Sequence, residues 1–117
     1  MTIGVTASDV GVRADQQSDY RPVMNLFHAE YGEPDERLSS RFRVLYEHPF
    51  QARRAIRLVA TLDGQVVGFQ TLFFWPYEHQ GRILRCVQSG NSLVSPKYRG
   101  RGIFGALLRG IDEIFES

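Results

Sequence analysis

The stretch AIRLVATL-DG-QVVGFQTLFFW, Ala55 to Trp75, constrains the fold most, because two apolar runs meet there across Asp63-Gly64. Asp-Gly is a strong two-residue hairpin signal, since a type I′ turn needs positive φ at both central positions. The runs themselves are rich in β-branched and aromatic residues, which suit a pleated surface. YEHQG then supplies a second turn, and RILRCVQSGNSLVS returns as a third run. Strands over Ala55–Leu62, Gln65–Trp75 and Arg82–Ser95 therefore form an antiparallel meander. Gly90, inside the last of them, predicts a bulge or a close approach to the backbone.

Helical signals flank the meander. Ser18 and Asp19 give an N-cap with Pro22 in the opening turn. Val23, Leu26, Phe27 and Tyr31 then fall on one stripe, and Gly32 ends it as a C′ residue. A second helix opens at Pro34, with Asp35 and Glu36 in its first turn, where the dipole favours acids. Leu38, Phe42 and Leu45 form its apolar face and Pro49 stops it. A short strand around Val10–Arg13 precedes both, and Gly102–Phe115 reads as a final helix. Its inward residues are Ile103, Leu107, Ile111 and one of Ile114 or Phe115. The order β-α-α-β-β-β-α specifies an α+β fold, helices on a largely antiparallel sheet.

A chain of 117 residues that is 43% hydrophobic can bury one core without staples, so a single domain over 1–117 is expected. The formal net charge of +1 argues against a dedicated nucleic-acid binder. The lone Cys86 excludes an internal disulfide, suits a reducing compartment, and reads as a small core residue of its strand. No apolar run approaches the roughly 18 residues of a membrane span, and MTIGVTASDVGVRAD lacks a signal-peptide pattern. A cytoplasmic protein without membrane or nucleic-acid partners is the expectation. His28, His48 and His79 show no metal-ligand spacing, so no metal is expected.

The chemistry concentrates in NSLVSPKYRGRGIFGALLRG, Asn91 to Gly110. Lys97, Arg99, Arg101 and Arg109 crowd the start of the last helix, where the macrodipole disfavours each exposed cation by roughly 0.3–1 kcal/mol. After Glu78 no carboxylate appears before Asp112. A helix N-terminus presents about four unpaired N–H groups, and this one begins Gly-Arg-Gly in place of a Ser, Thr, Asp or Asn cap. Glycines let such amides converge and let a ligand approach the main chain. Arg99 and Arg101 add charge-assisted donors for phosphate oxygens. An anion, and a diphosphate in particular, answers that arrangement. A solvated Gly-rich turn is the plain alternative. Gly100, Gly102 and Gly105 also match G-x-G-x-x-G, but a dinucleotide site needs a parallel βαβ unit and a later acid, neither of which is legible. A Walker A loop fails for want of Gly-Lys-Ser/Thr.

These residues resemble motif A of the GNAT superfamily of N-acetyltransferases. The signature Gln/Arg-x-x-Gly-x-Gly/Ala is met by Arg99 and Gly102, while its sixth position holds Phe104, with Gly105 one place late. The preceding helices and hairpin also resemble the first half of a GNAT domain. The resemblance implies that acetyl-CoA is the cosubstrate and an amine of a small molecule or peptide the acceptor. It implies that Leu93, Val94 and Ser95 offer main-chain groups to pantetheine. Arg99, Gly100, Arg101, Gly102, Ile103, Phe104 and Gly105 would hold the diphosphate, and the Val94 amide region would serve the oxyanion.

No catalytic residue is assigned: Arg82–Ser95 carries no acid, and Glu30, Glu33 and Glu78 are the nearest conceivable bases. Phe73–Tyr77 lines an acceptor pocket or belongs to the core. A GNAT domain continues beyond this helix with further strands, so the chain is expected to be truncated after motif A. Little CoA binding or turnover of its own follows, with an open sheet edge for a second copy or a completing chain. A non-catalytic acyl-CoA-binding or interaction module and a nucleotide- or phosphosugar-binding domain remain the alternatives.

Overall fold

The computed structural model describes residues 10–32, 35–52 and 54–116. Their elements are β1 (Gly11–Ala14), α1 (Tyr20–Tyr31), α2 (Asp35–Tyr46), β2 (Ile56–Leu62), β3 (Gln65–His79), β4 (Arg82–Val94) and α3 (Ile103–Glu116). Short 3₁₀ turns occupy Gln17–Asp19 and Pro96–Tyr98. The four strands lie in the order β1-β2-β3-β4, every neighbour antiparallel. The meander and the order β-α-α-β-β-β-α thus match the sequence pattern.

Asp63 and Gly64 take φ of 50° and 77°, the left-handed pair that a type I′ turn requires. The second hairpin repeats this at Gln80 and Gly81, with φ of 51° and 77°. Only those two residues turn. Tyr77, Glu78 and His79, expected in the turn, instead pair with Leu84, Ile83 and Arg82. The sequence hides this because Gln-Gly is a weaker hairpin signal than Asp-Gly.

Helices cover both faces of the sheet. On one, Val23, Met24, Leu26 and Phe27 of α1 and Leu38, Phe42 and Tyr46 of α2 pack on Val59, Phe69 and Leu93. On the other, Ile103 and Leu107 of α3 pack on Leu58, Ala60, Leu62 and Val67. In α2 the buried spacing is Leu38, Phe42, Tyr46, so the tyrosine is fully buried at its end of the stripe. Pro34 and the side chain of Leu45 lie outside the described residues. α3 starts against Gly68 of β3 and has reached Val12 of β1 by Gly110. β1 is the edge of the sheet, so the last turn overshoots it. Ile111 is half-buried, while Ile114 and Phe115, one of which was expected inside, are both exposed.

The N-terminus of α1 departs from simple capping. Asp19 is the Ncap but makes no side-chain bond to its helix. Its carboxylate accepts Arg13 Nη1 at 2.7 Å and Nη2 at 3.0 Å, and the Gln16 N–H at 2.7 Å. The Arg13 guanidinium holds this carboxyl below the usual aspartate range, over the opposing effect of burial. Gly32 closes α1 with φ of 66° and its N–H on the His28 carbonyl, the expected glycine stop.

Candidate functional site

The end of β4 sets up the site. Ser95 N–H donates to the Val67 carbonyl at 2.8 Å, while the register pairs Val94 with Gly68 and Leu93 with Phe69. Main-chain groups of an antiparallel strand alternate between its two neighbours. Leu93 and the Ser95 N–H therefore face β3, the Ser95 carbonyl accepts the Tyr98 N–H at 2.9 Å, and Val94 and Ser92 turn their main-chain groups toward the open side of β4. The Val94 carbonyl already accepts Arg99 Nε there at 3.4 Å. Leu93 is also 3% exposed, its side chain under α1 and α2. Of the three strand residues named from the sequence, one faces the opening, and Ser92 joins it. Period-two alternation carried that signal.

The chain then folds through Pro96–Tyr98 into the glycine loop. Gly100 and Gly102 take φ of 78° and 81°, flanking Arg101 with two left-handed residues. Backbones of this kind can curl successive N–H groups toward one concavity. The first backbone bond of α3 runs from Ala106 N–H to the Gly102 carbonyl at 3.0 Å. Ile103, Phe104 and Gly105 sit upstream of it with the orphan donors of a helix start. Ile103 has its side chain buried against the sheet and can serve only through its main chain, whereas Phe104 is exposed. A cleft of about 400 Å³ opens here between Ser92 and Val94, Glu30 of α1, and Tyr98–Gly100 and Gly102–Phe104 of the loop; Arg101 and Gly105 do not line it.

The loop arginines stay exposed but touch the protein. Arg99 Nη2 pairs with Glu30 Oε2, bringing an acid 69 residues away in sequence to the helix start. The Arg101 guanidinium lies over the Tyr98 ring, 5.7 Å from its centroid. Sequence reasoning named Glu30 as a conceivable base but not its pairing with Arg99, which depends on α1 crossing the end of β4.

A second polar group lies farther along β4. Between Gln70 and Leu72 the ladder slips, so that Gly90 and Asn91 oppose Thr71. The predicted crowding at Gly90 is real: a Cβ there would stand 2.4 Å from Thr71 Oγ1 and 2.6 Å from Phe73 Cε2. Asn91 N–H donates to Thr71 Oγ1 at 2.9 Å, and Tyr46 Oη lies 2.9 Å from the same oxygen. Tyr46 Oη also donates to Asn91 Oδ1, and Asn91 Nδ2 donates to Tyr31 Oη at 3.3 Å. Burial pushes the Tyr46 hydroxyl above the usual tyrosine range.

Of the candidate bases, Glu30 is the one at the cleft. Glu78 lies at the far hairpin, opposite Ile83, and Glu33 is outside the described residues. Cys86, expected in the core, is only half-buried, because the outer part of the β3–β4 hairpin runs beyond the helices. Trp75 and Tyr77 are exposed there for the same reason, while Phe73 stacks on Tyr46 with centroids 5.1 Å apart. Trp75 and Phe73 line a separate shallow pocket with Val44, His48 and Gln51. Among the described residues no three His, Cys, Asp or Glu side chains group as metal ligands, and no helix is long and apolar enough to cross a membrane.

Residues 20–117 match the model of the acetyltransferase (GNAT) family. Solved structures share the fold. A ribosomal-protein-alanine N-acetyltransferase from Brucella melitensis is 27% identical, with 92% of this chain and 72% of that one covered at a TM-score of 0.67. An acetyltransferase of Trypanosoma brucei is 23% identical over 91% of this chain and 74% of its own, at 0.62. A putative acetyltransferase from Pyrococcus horikoshii is 23% identical over 91% of this chain and 34% of its own, at 0.69. No curated protein matches by sequence. With the family's sequence pattern running from α1 through the glycine loop and α3, the chain belongs to the GNAT acetyltransferase family.

Proposed function

We propose that this chain is the CoA-binding part of an N-acetyltransferase, moving an acetyl group from acetyl-CoA to an amine. The observation that carries the reading is the loop itself. Two left-handed glycines, orphan amides at Ile103 and Phe104 and an outward Val94 carbonyl meet in one cleft. A diphosphate is matched by the amides of Gly100–Gly105, with Arg99 and Arg101 as charged donors. A pantetheine arm is matched by the outward main chain of Val94 and Ser92, which can take it as an added strand once Arg99 turns from the Val94 carbonyl to the diphosphate. Leu93 and Ser95 then act by fixing β4 to β3. Bound acetyl-CoA supplies an activated acyl carbon. The residues of this chain hold and orient it.

The acceptor amine reaches that carbon from the side of α1 and the bulge at Gly90. Among the described residues β4 has β3 as its one neighbour, so weak CoA binding and little turnover are expected of this chain alone. The open edge then accepts a completing chain or a second copy, and a cytoplasmic location fits the single unpaired Cys86. A non-catalytic acyl-CoA-binding module is the second reading, favoured by the absence of any carboxylate on β4 and by the capture of Glu30 by Arg99.

Ligand competition tests the reading. CoA and acetyl-CoA are expected to displace a fluorescent CoA analogue from the chain, and NAD, ATP and a sugar nucleotide to leave it bound. Displacement by all of them with equal strength would assign the loop to generic phosphate binding. Transfer to any member of an amine panel by a completed chain would exclude the non-catalytic module.

A further inference from the structure

We propose that Tyr31 is a catalytic hydrogen-bond donor to the thioester oxygen, aimed by a relay of Thr71, Tyr46 and Asn91. The inference rests on the acyl-CoA reading above and adds a residue to it.

The relay has a direction. Tyr46 Oη gives its proton to Asn91 Oδ1, so toward Thr71 it can only accept. Thr71 Oγ1 takes the Asn91 N–H and gives its own proton to Tyr46. The Asn91 amide, its oxygen occupied by Tyr46, turns its Nδ2–H to Tyr31 Oη. Tyr31 thus receives a hydrogen bond from the protein, which leaves its own O–H free to point outward. Tyr46 and Thr71 are fully buried, while Tyr31 is 46% exposed, so the relay runs from the core to the surface. Burial also keeps the Tyr46 hydroxyl protonated, and so a donor, through the neutral range.

Position supplies the second half. Tyr31 is the last residue of α1, next to Glu30, which lines the cleft. An extended arm leaving the loop at Ser95 and running back along β4 passes Val94 and Ser92 and comes to Asn91, about 13 Å away at about 3.3 Å per residue. Tyr31 stands at that point. Its lone pair faces Asn91, so it is a poor base for the amine; as a donor it needs an acceptor, and the thioester oxygen is the one on which charge grows. When the amine attacks, the C–N bond forms and the C–S bond breaks, its electron pair leaving on sulfur. The nitrogen proton passes to water and the thiolate takes one back. Tyr31 keeps its proton throughout and stabilises the oxygen by hydrogen bonding. Tyr46, Thr71 and Asn91 are positioning residues.

The test uses the full chain with acetyl-CoA labelled by ¹³C at the acetyl carbonyl, and CoA as the control. In the unsubstituted chain the bound carbonyl resonance is expected downfield of the free one. Tyr31→Phe should return it toward the free position and weaken acetyl-CoA about three- to tenfold, the range of one neutral hydrogen bond. CoA affinity should not move. Tyr46→Phe keeps the buried ring and should shift the resonance part of the way in the same direction. A bound resonance unchanged in Tyr31→Phe, with CoA binding still dependent on the loop, overturns this inference alone. Absence of CoA binding, or binding indifferent to Arg99→Glu, overturns it together with the acyl-CoA reading.

Discussion

Arg99 shows how one residue can hold two roles. Its guanidinium is shared between the Val94 carbonyl and the Glu30 carboxylate, at the mouth of the cleft that the glycine loop shapes. Both partners of the ion pair are half-exposed, and pairs of that kind contribute about 0–1 kcal/mol. An entering diphosphate therefore takes over Arg99 at small cost, but it meets the charge of Glu30. Glu30→Gln should tighten CoA about two- to fivefold at low salt, with the gain fading as ionic strength rises. Calorimetric titrations at two salt concentrations check this, and weaker binding by Glu30→Gln would make Glu30 a ligand-supporting residue instead. The sequence announced Arg99 through its place in the loop motif. It offered Glu30 only as one of three conceivable bases and could not announce its pairing with Arg99, because that acid arrives through the packing of α1 across β4. Tyr31 and Tyr46 were equally silent, since both sit in apolar stripes where an aromatic ring explains itself.

Among the elements, β4 determines most. Its bulge turns Asn91 toward the two tyrosines, and its free edge presents Val94 and Ser92. Gly90 was legible as an irregularity because a glycine inside a strand has few other uses. The reason is the approach of Thr71 and of Phe73, which is itself held by its stack on Tyr46. Gly90→Ala should destabilise the chain by about 1–3 kcal/mol, the range for overpacking a filled site. Gly105→Ala should do the reverse, by up to about 1 kcal/mol. A Cβ there meets nothing nearer than Arg109 Nη1 at 3.4 Å, and alanine is the better helix former. Urea unfolding of both variants measures the pair, and a neutral Gly90→Ala would mean that β4 can shift away from Phe73. The hairpin turns divide in the same way. Asp63-Gly64 declared its two residues, while the second turn was legible only as YEHQG and closes on Gln80-Gly81 alone, so β3 extends farther than its pattern showed.

For the molecule as a whole, sequence patterning was enough to obtain the element order, the three-strand meander and the place of the loop, but not the seat of β1 beside β2 or the helices on both faces. Period-two and helical spacings report which faces are apolar, but not which face of the sheet each helix covers. The ends of elements were less legible, because what covers them is set by distance and not by pattern. Ile114 and Phe115 continue the inward stripe of α3 but pass beyond β1, and Trp75 and Tyr77 continue β3 beyond the helices. The glycine loop is where the account of function meets the fold most directly. Backbone amide resonances followed by ¹H–¹⁵N NMR during a CoA titration report on it even when binding is weak. The largest changes are expected on Gly100 through Gly105 and on Val94. Arg99→Glu and Gly102→Asp are each expected to weaken binding about tenfold or more. Changes confined to other surfaces, or loop amides that stay still while CoA binds, would contradict the proposed function.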